Sequence, residues 1–525
     1  MTKGQEAAAD VAALLRARNS VIWIVTREEA RVERLLIEAA AAASYIPQTW
    51  DVAQGTCDMD SRQLSATMDP GDALDEIKSR ATGTNKRSMT IMRDLPVWLA
   101  GPPGATVMRK LRNLARFLPT VPRERANAII ILSPSGEVPP ELANHATVLE
   151  WPMPDREEIA EILDASIRGL PDDVRANAAP NGTRDAAIDA AVGLSGEEAS
   201  SCYARSLVQT KTIDPKLIAR EKKRVIARER VLEWFDPIPG GLAAVGGLEN
   251  LKTWLQARSA AYSPKAREYG LPAPKGAFLA GIPGCGKSLT AKAIATAWGV
   301  PLLKLDLGAL KSKFVGDSEA NLRKALRVIE AIGRCVVWLD EIEKALAGAT
   351  QGAADGGVSS DALGAILNWM QERQGEAFVI ATANDVEGLP PELMRKGRFD
   401  EIWWIDLPTR VERLEILHAS LRSHGRKLQD LKADELSDIV SATDQFTGSE
   451  IAALVPDALY AAFGDDARPI TTRDLLNAAK SVVPLSKTAS EKLERLRTWA
   501  KGRARLASIN ETSTQSTDGD RVLEL

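Results

Sequence analysis

One order of apolar runs and helical patterns occurs twice along the chain, and that repetition limits the possible folds more than any single motif does. The clearer copy runs through GAFLAGIP (276–283), LLKLDLG (302–308), CVVWLDE (335–341), AFVIATAN (377–384) and EIWWIDLPTRVERLEIL (401–417). The other runs through VIWIVTRE (21–28), TWDV (49–52), SMTIMRD (88–94), NAIIILSPS (127–135) and TVLEWPMPDREEIAEIL (147–163). Even PPEL recurs, at 139–142 and 390–393, just ahead of the fifth run each time. Short β-branched and aromatic runs separated by helical patterns mark buried parallel strands joined by crossover helices. Each copy is therefore expected to be an α/β sheet covered on both faces. An all-helical stretch follows each fifth strand, GLSGEEASSCYARSLV (193–208) and FTGSEIAALVPDALYAAF (446–463), so each sheet is expected to carry a small helical lid.

These patterns place a first module with its lid at 1–210, a connecting helix at 211–240, a second sheet domain at 241–409 and its lid at 410–490. A C-terminal helix is expected at 491–507, and a disordered tail rich in Ser, Thr and Asp at 508–525. Residues 216–230 carry seven basic and two acidic side chains, which reads as a solvated connecting helix.

Composition excludes several functions. With 67 Lys plus Arg against 71 Asp plus Glu, the formal charge is -4, which argues against a dedicated nucleic-acid binder. Cysteines 57, 202, 285 and 335 show no CxxC spacing, and histidines 145, 418 and 424 are dispersed. Zinc, a disulfide framework and triad chemistry are not expected from such spacing. The first residues, MTKGQEAAADVAALLRARNS, carry charges where a signal peptide is apolar, and no run of about 18 strongly apolar residues occurs. The expected location is cytoplasmic, away from membranes.

The second copy contains the motif that carries chemistry. Gly281, Ile282, Pro283, Gly284, Cys285, Gly286, Lys287 and Ser288 fit GxxxxGK[ST], between a strand pattern and a helical pattern that begins at Leu289. Glycines let successive backbone N–H groups point into one concavity, and a helix N-terminus adds positive potential. Lys287 is expected to reach the β- and γ-phosphates of ATP, and Ser288 to bind Mg²⁺. Downstream, the strand CVVWLDE ends in Asp340 and Glu341. Asp340 is expected to hold Mg²⁺ beside Ser288, and Glu341 to polarise the attacking water. Asn384 ends the next strand, where its amide can position that water and contact the γ-phosphate.

Together these residues resemble the AAA family of AAA+ ATPases. VGGLENLK (245–252), the phosphate loop, KFVGDSE (313–319), LDEIEKA (339–345) and ATANDVEGLPPELMRKGRFD (381–400) look like its successive signatures. The whole-chain layout resembles the two-module AAA-domain proteins of cyanobacteria and chloroplasts. The resemblance implies a P-loop AAA+ module with a helical lid, preceded by a degenerate AAA-like copy. It implies that Arg395 and Arg398 are arginine fingers acting on a neighbouring subunit's nucleotide, and hence a homo-hexameric ring. It further implies that Gly448 and Ser449 contact the adenosine from the lid, that Gly246 lies near the adenine, and that Phe314 with Val315 forms a pore loop gripping an extended polypeptide. Two positions depart from the family: Ala244 stands where many relatives carry an acid, and Ser420 where many carry a ribose-contacting histidine, with His418 two positions earlier.

The first copy lacks four parts of this chemistry together. VTREEARVER replaces the phosphate loop, Arg93-Asp94 replaces the paired acids, Ser133 replaces the asparagine, and no RKGRFD segment follows PPEL. It reads either as a degenerate module kept for assembly, docking or partner binding, or as an unrelated α/β domain. Three kinds of work for an ATP cycle remain open at this level: remodelling a protein substrate, moving a nucleic acid, or switching an assembly. The glycine-rich stretch 347–360 is either a second pore loop or a linker.

Overall fold

A computed structural model of the chain describes residues 1–83, 86–134, 138–175, 178–179, 182–226, 231–308, 315–346, 358–373, 375–387, 389, 391–395, 397–428, 431 and 433–509. The chain divides into two compact units, Met1–Lys222 and Lys223–Leu525.

The two copies have one topology. In the first unit the five core strands are Val21–Val25, Ile46–Asp51, Ser88–Arg93, Asn127–Ser133 and Thr147–Glu150. Counted along the chain, they lie in the spatial order two, three, four, one, five wherever the central strands pair, all parallel, with the "three" strand being Ser88–Arg93. In the second unit Gly276–Gly281, Leu302–Leu305, Val336–Leu339, Phe378–Ala383 and Glu401–Ile405 take the same order, again all parallel. Strands one, three and four of the second sheet are buried along their whole length, as covering by helices on both faces requires. Such a sheet collects its loops at the carboxyl ends of the strands, where α/β folds build their sites.

Short strands extend both edges. Gly55–Cys57 and Gln63–Ser65 add an antiparallel ribbon beside Ile46–Asp51. Leu232–Phe235 pairs antiparallel with Leu302–Leu305, and Arg505–Leu506 pairs parallel with Glu401–Ile405. The segment 211–240 is thus more than a connecting helix. Its helix, Pro215–Ile226, buries Leu217 and Ile218, and Lys222 donates to the Val192 carbonyl. Arg205 pairs with Glu221 at 2.7 Å. The charge count along this helix hid an apolar face that docks on the first unit's own lid.

The lid of the second unit comprises Arg410–Ser423, Ala433–Ala442, Gly448–Gly464 and Thr472–Ser481, around a separate core that includes Leu417, Leu421, Leu454 and Leu475. Thr409, Thr447 and Thr471 each begin a helix with a reciprocal capping box, which satisfies backbone donors at the helix start. The chain then returns to the sheet. The C-terminal helix covers Ser490–Ala500 and contributes Leu493, Leu496 and Ala500 to the sheet core, while Arg497 holds Asp406 at 2.8 Å. It ends before 507 because Gly502 turns the backbone to positive φ and releases Arg505–Leu506 into the sheet. From residue 510 the expected tail lies outside the described residues. No helix among the described residues is long and apolar enough to cross a membrane.

In the first unit, Glu28 sits at the end of strand one, where the other copy has its phosphate loop. Its side chain is buried, accepts from the Gly196 backbone N–H at the start of the lid helix Gly196–Thr210, and pairs with Arg31 at 2.7 Å. Arg31 also pairs with Glu158 at 2.7 Å and donates to the Pro152 carbonyl. Glu158 in turn accepts from the Gly4 backbone N–H. A buried carboxylate thus ties sheet to lid in this module. Burial raises the Glu28 pKa, and Arg31 opposes that rise. Removing one member of such a network leaves its partners charged and uncompensated, at a cost of about 3–5 kcal/mol. Arg31→Met is therefore expected to lower the melting temperature and to weaken amide-exchange protection in Arg156–Arg168 and Gly196–Thr210. Protection like that of the parent in these two helices would show that the network contributes little.

Candidate functional site

The phosphate loop begins where strand Gly276–Gly281 ends. A Cβ on Gly281 would meet the Ile405 carbonyl oxygen at 2.1 Å, so the loop leaves the sheet in close contact with strand five. Gly284 has φ +77, and a Cβ there would lie 2.3 Å from Ser449 Oγ. Gly286, with φ +91, precedes the helix Lys287–Trp298, and a Cβ there would meet nothing within 4 Å. Open space in front of a helix N-terminus is the shape that a phosphate group fits.

Lys287 is buried, and its Nζ donates to the carbonyls of Gly281 and Ile282, both at 2.8 Å. Burial pulls its pKa from 10.5 to about 8. At neutral pH the ammonium is thus held charged in a place that disfavours charge. Leu289, on the same helix, is exposed, and Cys285 is buried within the loop with its thiol pushed up to about 11 by burial.

Three elements converge on Asp340. Ser288 Oγ donates to its Oδ1 at 3.1 Å, Thr382 Oγ1 donates to the same oxygen at 2.9 Å, and Lys304 Nζ lies 3.2 Å from Oδ2. A hydroxyl beside a carboxylate is the hard-oxygen donor chemistry that Mg²⁺ accepts, so Ser288 and Asp340 fit that ion. Glu341 follows with φ 47, a conformation non-glycine residues rarely adopt. Its backbone N–H donates to Thr382 Oγ1 at 3.1 Å. Asn384 Nδ2 donates to Glu341 Oε1 at 3.0 Å, and Lys344 Nζ lies 2.5 Å from Oε2. The Asn384 backbone N–H donates to Glu343 Oε1 at 3.0 Å, and burial raises the pKa of Glu343.

Sequence reasoning singled out Ser288, Asp340, Glu341 and Asn384, and the structure brings them together. Thr382, Lys304, Glu343 and Lys344 were not singled out. Thr382 and Lys304 carried a usable signal, as polar residues inside the apolar strands FVIATA and LLKL.

The lid reaches the loop directly: the Ser449 backbone N–H donates to the Gly284 carbonyl at 2.8 Å. Gly246 packs against the lid helix Arg410–Ser423 so closely that a Cβ would meet Ile416 N at 2.5 Å. Gly247 N–H and Leu248 N–H donate to Glu415 and Glu412 of that helix, at 2.7 and 2.8 Å. A cavity of about 260 Å³ flanks Gly246, lined also by Val245, Lys252, Glu415, His418 and Arg422. His418 thus shares a cavity with Gly246, whereas Ser420 is buried and donates to the Ala452 carbonyl inside the lid.

The two arginines near strand five differ. Arg395 is exposed, while Arg398 is buried and donates to the Glu392 carbonyl. Phe314 lies outside the described residues, as does the stretch 347–357; Val315 begins the helix Val315–Ile332, and its side chain is outside them too. In the first unit the position of the paired acids carries Arg93, bound to Glu33 at 2.7 Å and Asp51 at 3.1 Å, which raise its pKa.

A sheet of this order with a glycine loop and paired acids at its carboxyl edge defines an AAA ATPase module, and comparison with known proteins agrees. Residues 277–407 match the ATPase family associated with various cellular activities (AAA). Residues 7–151 match the N-terminal domain, and 157–229 the second domain, of SpoVK-like AAA ATPases. The chain is 36% identical over 504 residues to the uncharacterized AAA domain-containing protein ycf46 of Guillardia theta, covering 95% of this chain and 96% of that protein. It belongs to the AAA ATPase family. The second module alone is also similar to the proteasome-activating nucleotidase of Aeropyrum pernix, 32% identical over 223 residues, covering 41% of this chain and 53% of that one. A similar match is to the ATP-dependent zinc metalloprotease FtsH of Syntrophus aciditrophicus, 32% identical over 225 residues, covering 42% of this chain and 30% of that one.

The burial of Lys287 makes stability depend on pH. A lysine whose folded pKa is about 8 against 10.5 unfolded destabilises the fold in full below pH 8, and this cost fades as pH rises toward 10.5. Lys287→Met is expected to melt at or above the parent's temperature without nucleotide, with the largest advantage at neutral pH. Addition of an ATP analogue should raise the parent's melting temperature and leave the variant's unmoved. A variant melting several degrees below the parent would show that the two carbonyl bonds outweigh the buried charge.

Proposed function

We propose that the second module hydrolyses ATP with Mg²⁺ inside a homo-hexameric ring, and that the ring remodels or unfolds a protein substrate through its central pore. The observation that carries the ATPase reading is the junction at Asp340, where the loop's Ser288 and the strand-four Thr382 share one carboxylate oxygen beside Glu341. In this reading backbone N–H groups of Gly284–Lys287 and the Lys287 ammonium hold the phosphates. Ser288 and Asp340 hold the ion, and bound Mg²⁺ neutralises charge on the phosphates. Glu341 accepts the proton of the attacking water, and Asn384, already bonded to Glu341 Oε1, fixes the direction of that carboxylate. Gly246, Gly448 and Ser449 frame the adenosine, so that occupancy of the site and lid position are linked.

Arg395 and Arg398 act on the neighbour's γ-phosphate. Arg395 is exposed and free to reach outward, while Arg398 is tied to the Glu392 carbonyl. Support for work on protein comes from two relatives of the module, one named a proteasome-activating nucleotidase and the other an ATP-dependent metalloprotease. The near-neutral charge balance disfavours a nucleic-acid motor.

Two experiments test this reading. Arg395→Ala is expected to cut hydrolysis by roughly 10³-fold or more with little loss of nucleotide affinity, the behaviour of a finger supplied in trans. Mixed with Glu341→Gln chains it should regain activity at hybrid interfaces; verified mixed rings that regain none would place the finger in its own subunit. Phe314→Ala is expected to assemble normally and to lose substrate remodelling. If Phe314 is instead a core residue, its truncation costs about 3–5 kcal/mol and shows as a lowered melting temperature with poor assembly, which removes the support for threading.

A further inference from the structure

Lys304 stands on the second strand, in direct register with Trp338 of the third, and its Nζ lies between that ring and the metal-site carboxylate: 4.7 Å from the ring centroid and 3.2 Å from Asp340 Oδ2. Both ends of the ion pair are shielded, with side-chain exposures of 26% and 18%. The other oxygen of Asp340 already accepts two hydroxyl bonds, so among the described residues three donors meet this carboxylate. The ring keeps the ammonium in place, because the face of an indole attracts a cation. Trp338 is itself held by Phe235 at 5.4 Å from the added edge strand and by Lys292 at 5.4 Å.

We infer that Lys304 is a tethered cation that competes with Mg²⁺ for Asp340, so that the ion binds firmly only together with a nucleotide. The inference rests on the proposed roles of Ser288 and Asp340. A carboxylate that already carries an ammonium attracts a divalent ion less, because its charge is largely neutralised and the ammonium repels the ion. The phosphates of a nucleotide restore the missing negative charge. Lys304 therefore acts as a positioning and electrostatic residue, setting how much Mg²⁺ the site requires, without touching the reacting atoms.

The test uses the full chain in a Glu341→Gln background, so that no hydrolysis enters the readout. A fluorescent non-hydrolysable ATP analogue is bound, and free Mg²⁺ is titrated through a chelator buffer. Lys304→Met keeps the aliphatic stem over Trp338 and removes the charge. It is expected to lower the Mg²⁺ concentration for half-saturation by about tenfold, the order that unit charges produce across a partly solvated site. Lys304→Arg keeps the charge and should titrate like the parent. Analogue affinity without Mg²⁺ serves as the folding control, and Lys304→Gln replaces Lys304→Met if that control fails. An unchanged or higher Mg²⁺ requirement in the neutral variant overturns the inference. Absence of analogue binding in the parent would instead overturn the phosphate-site reading beneath it.

Discussion

The Asp340 carboxylate is the constraint on which the second module depends. It receives Ser288 from the helix after strand one, Lys304 from strand two and Thr382 from strand four, while itself ending strand three. These contacts are possible only because strands two, three, four and one are neighbours in one parallel sheet, with their carboxyl ends on the same edge. A half-buried carboxylate is stable when donors surround it, and the donors here include groups suited to a metal-dependent phosphate site. Packing and chemistry thus meet in a single side chain. Glu341 inherits its position from the same junction, since its backbone N–H bonds the hydroxyl that also bonds Asp340.

The first module solves the same topological problem differently. Where the second leaves open space at Gly286, the first places the Glu28 carboxylate against the lid-helix N-terminus at Gly196. An anionic side chain favours the N–H groups at a helix start for the same reason that a phosphate does. In this module the negative charge belongs to the chain, and sheet and lid are joined without a ligand. Arg93 completes the replacement, since a guanidinium paired with Glu33 and Asp51 stands where the other copy ends its third strand in acids. The same strand order serves in one module as a site and in the other as a closed body.

In the second module the lid is tethered at several points. Its helix Arg410–Ser423 receives the Gly247 and Leu248 N–H groups, and its helix Gly448–Gly464 touches the Gly284 carbonyl through Ser449. After the lid, the C-terminal helix runs back to the sheet. There Arg497 grips Asp406 at the end of strand five, and Lys492 reaches Asp385 beside Asn384 at 3.1 Å. Each of these contacts joins a loop around the phosphate site to an element far away in sequence, and hydrophobic burial of Leu493 and Leu496 fixes the returning helix.

Local patterns made much of this legible. The alternation of apolar runs and helices pointed to two parallel α/β sheets, because parallel strands buried on both faces read as near-continuous apolar runs. The glycine loop, the paired acids and Asn384 were legible because their chemistry depends on spacing along the chain. What remained hidden depends on pairing across it. Leu232–Phe235 and Arg505–Leu506 are too short to announce themselves, and they exist as strands only because a sheet edge offers them partners. Helix Pro215–Ile226 looked like a solvated connector because charge counting ignores which face is apolar. Glu28 stands in a stretch that reads along the chain only as a replaced phosphate loop, and its tie to Arg31 and Gly196 spans up to 168 positions. Lys304 and Thr382 are single polar residues in apolar strands, and no local rule says which carboxylate they meet. The sequence by itself determined the core strands, their crossover helices and the phosphate loop, since these follow from periodicity and backbone chemistry. The tertiary structure alone decided which distant side chains share one carboxylate, because that depends on strand order and register.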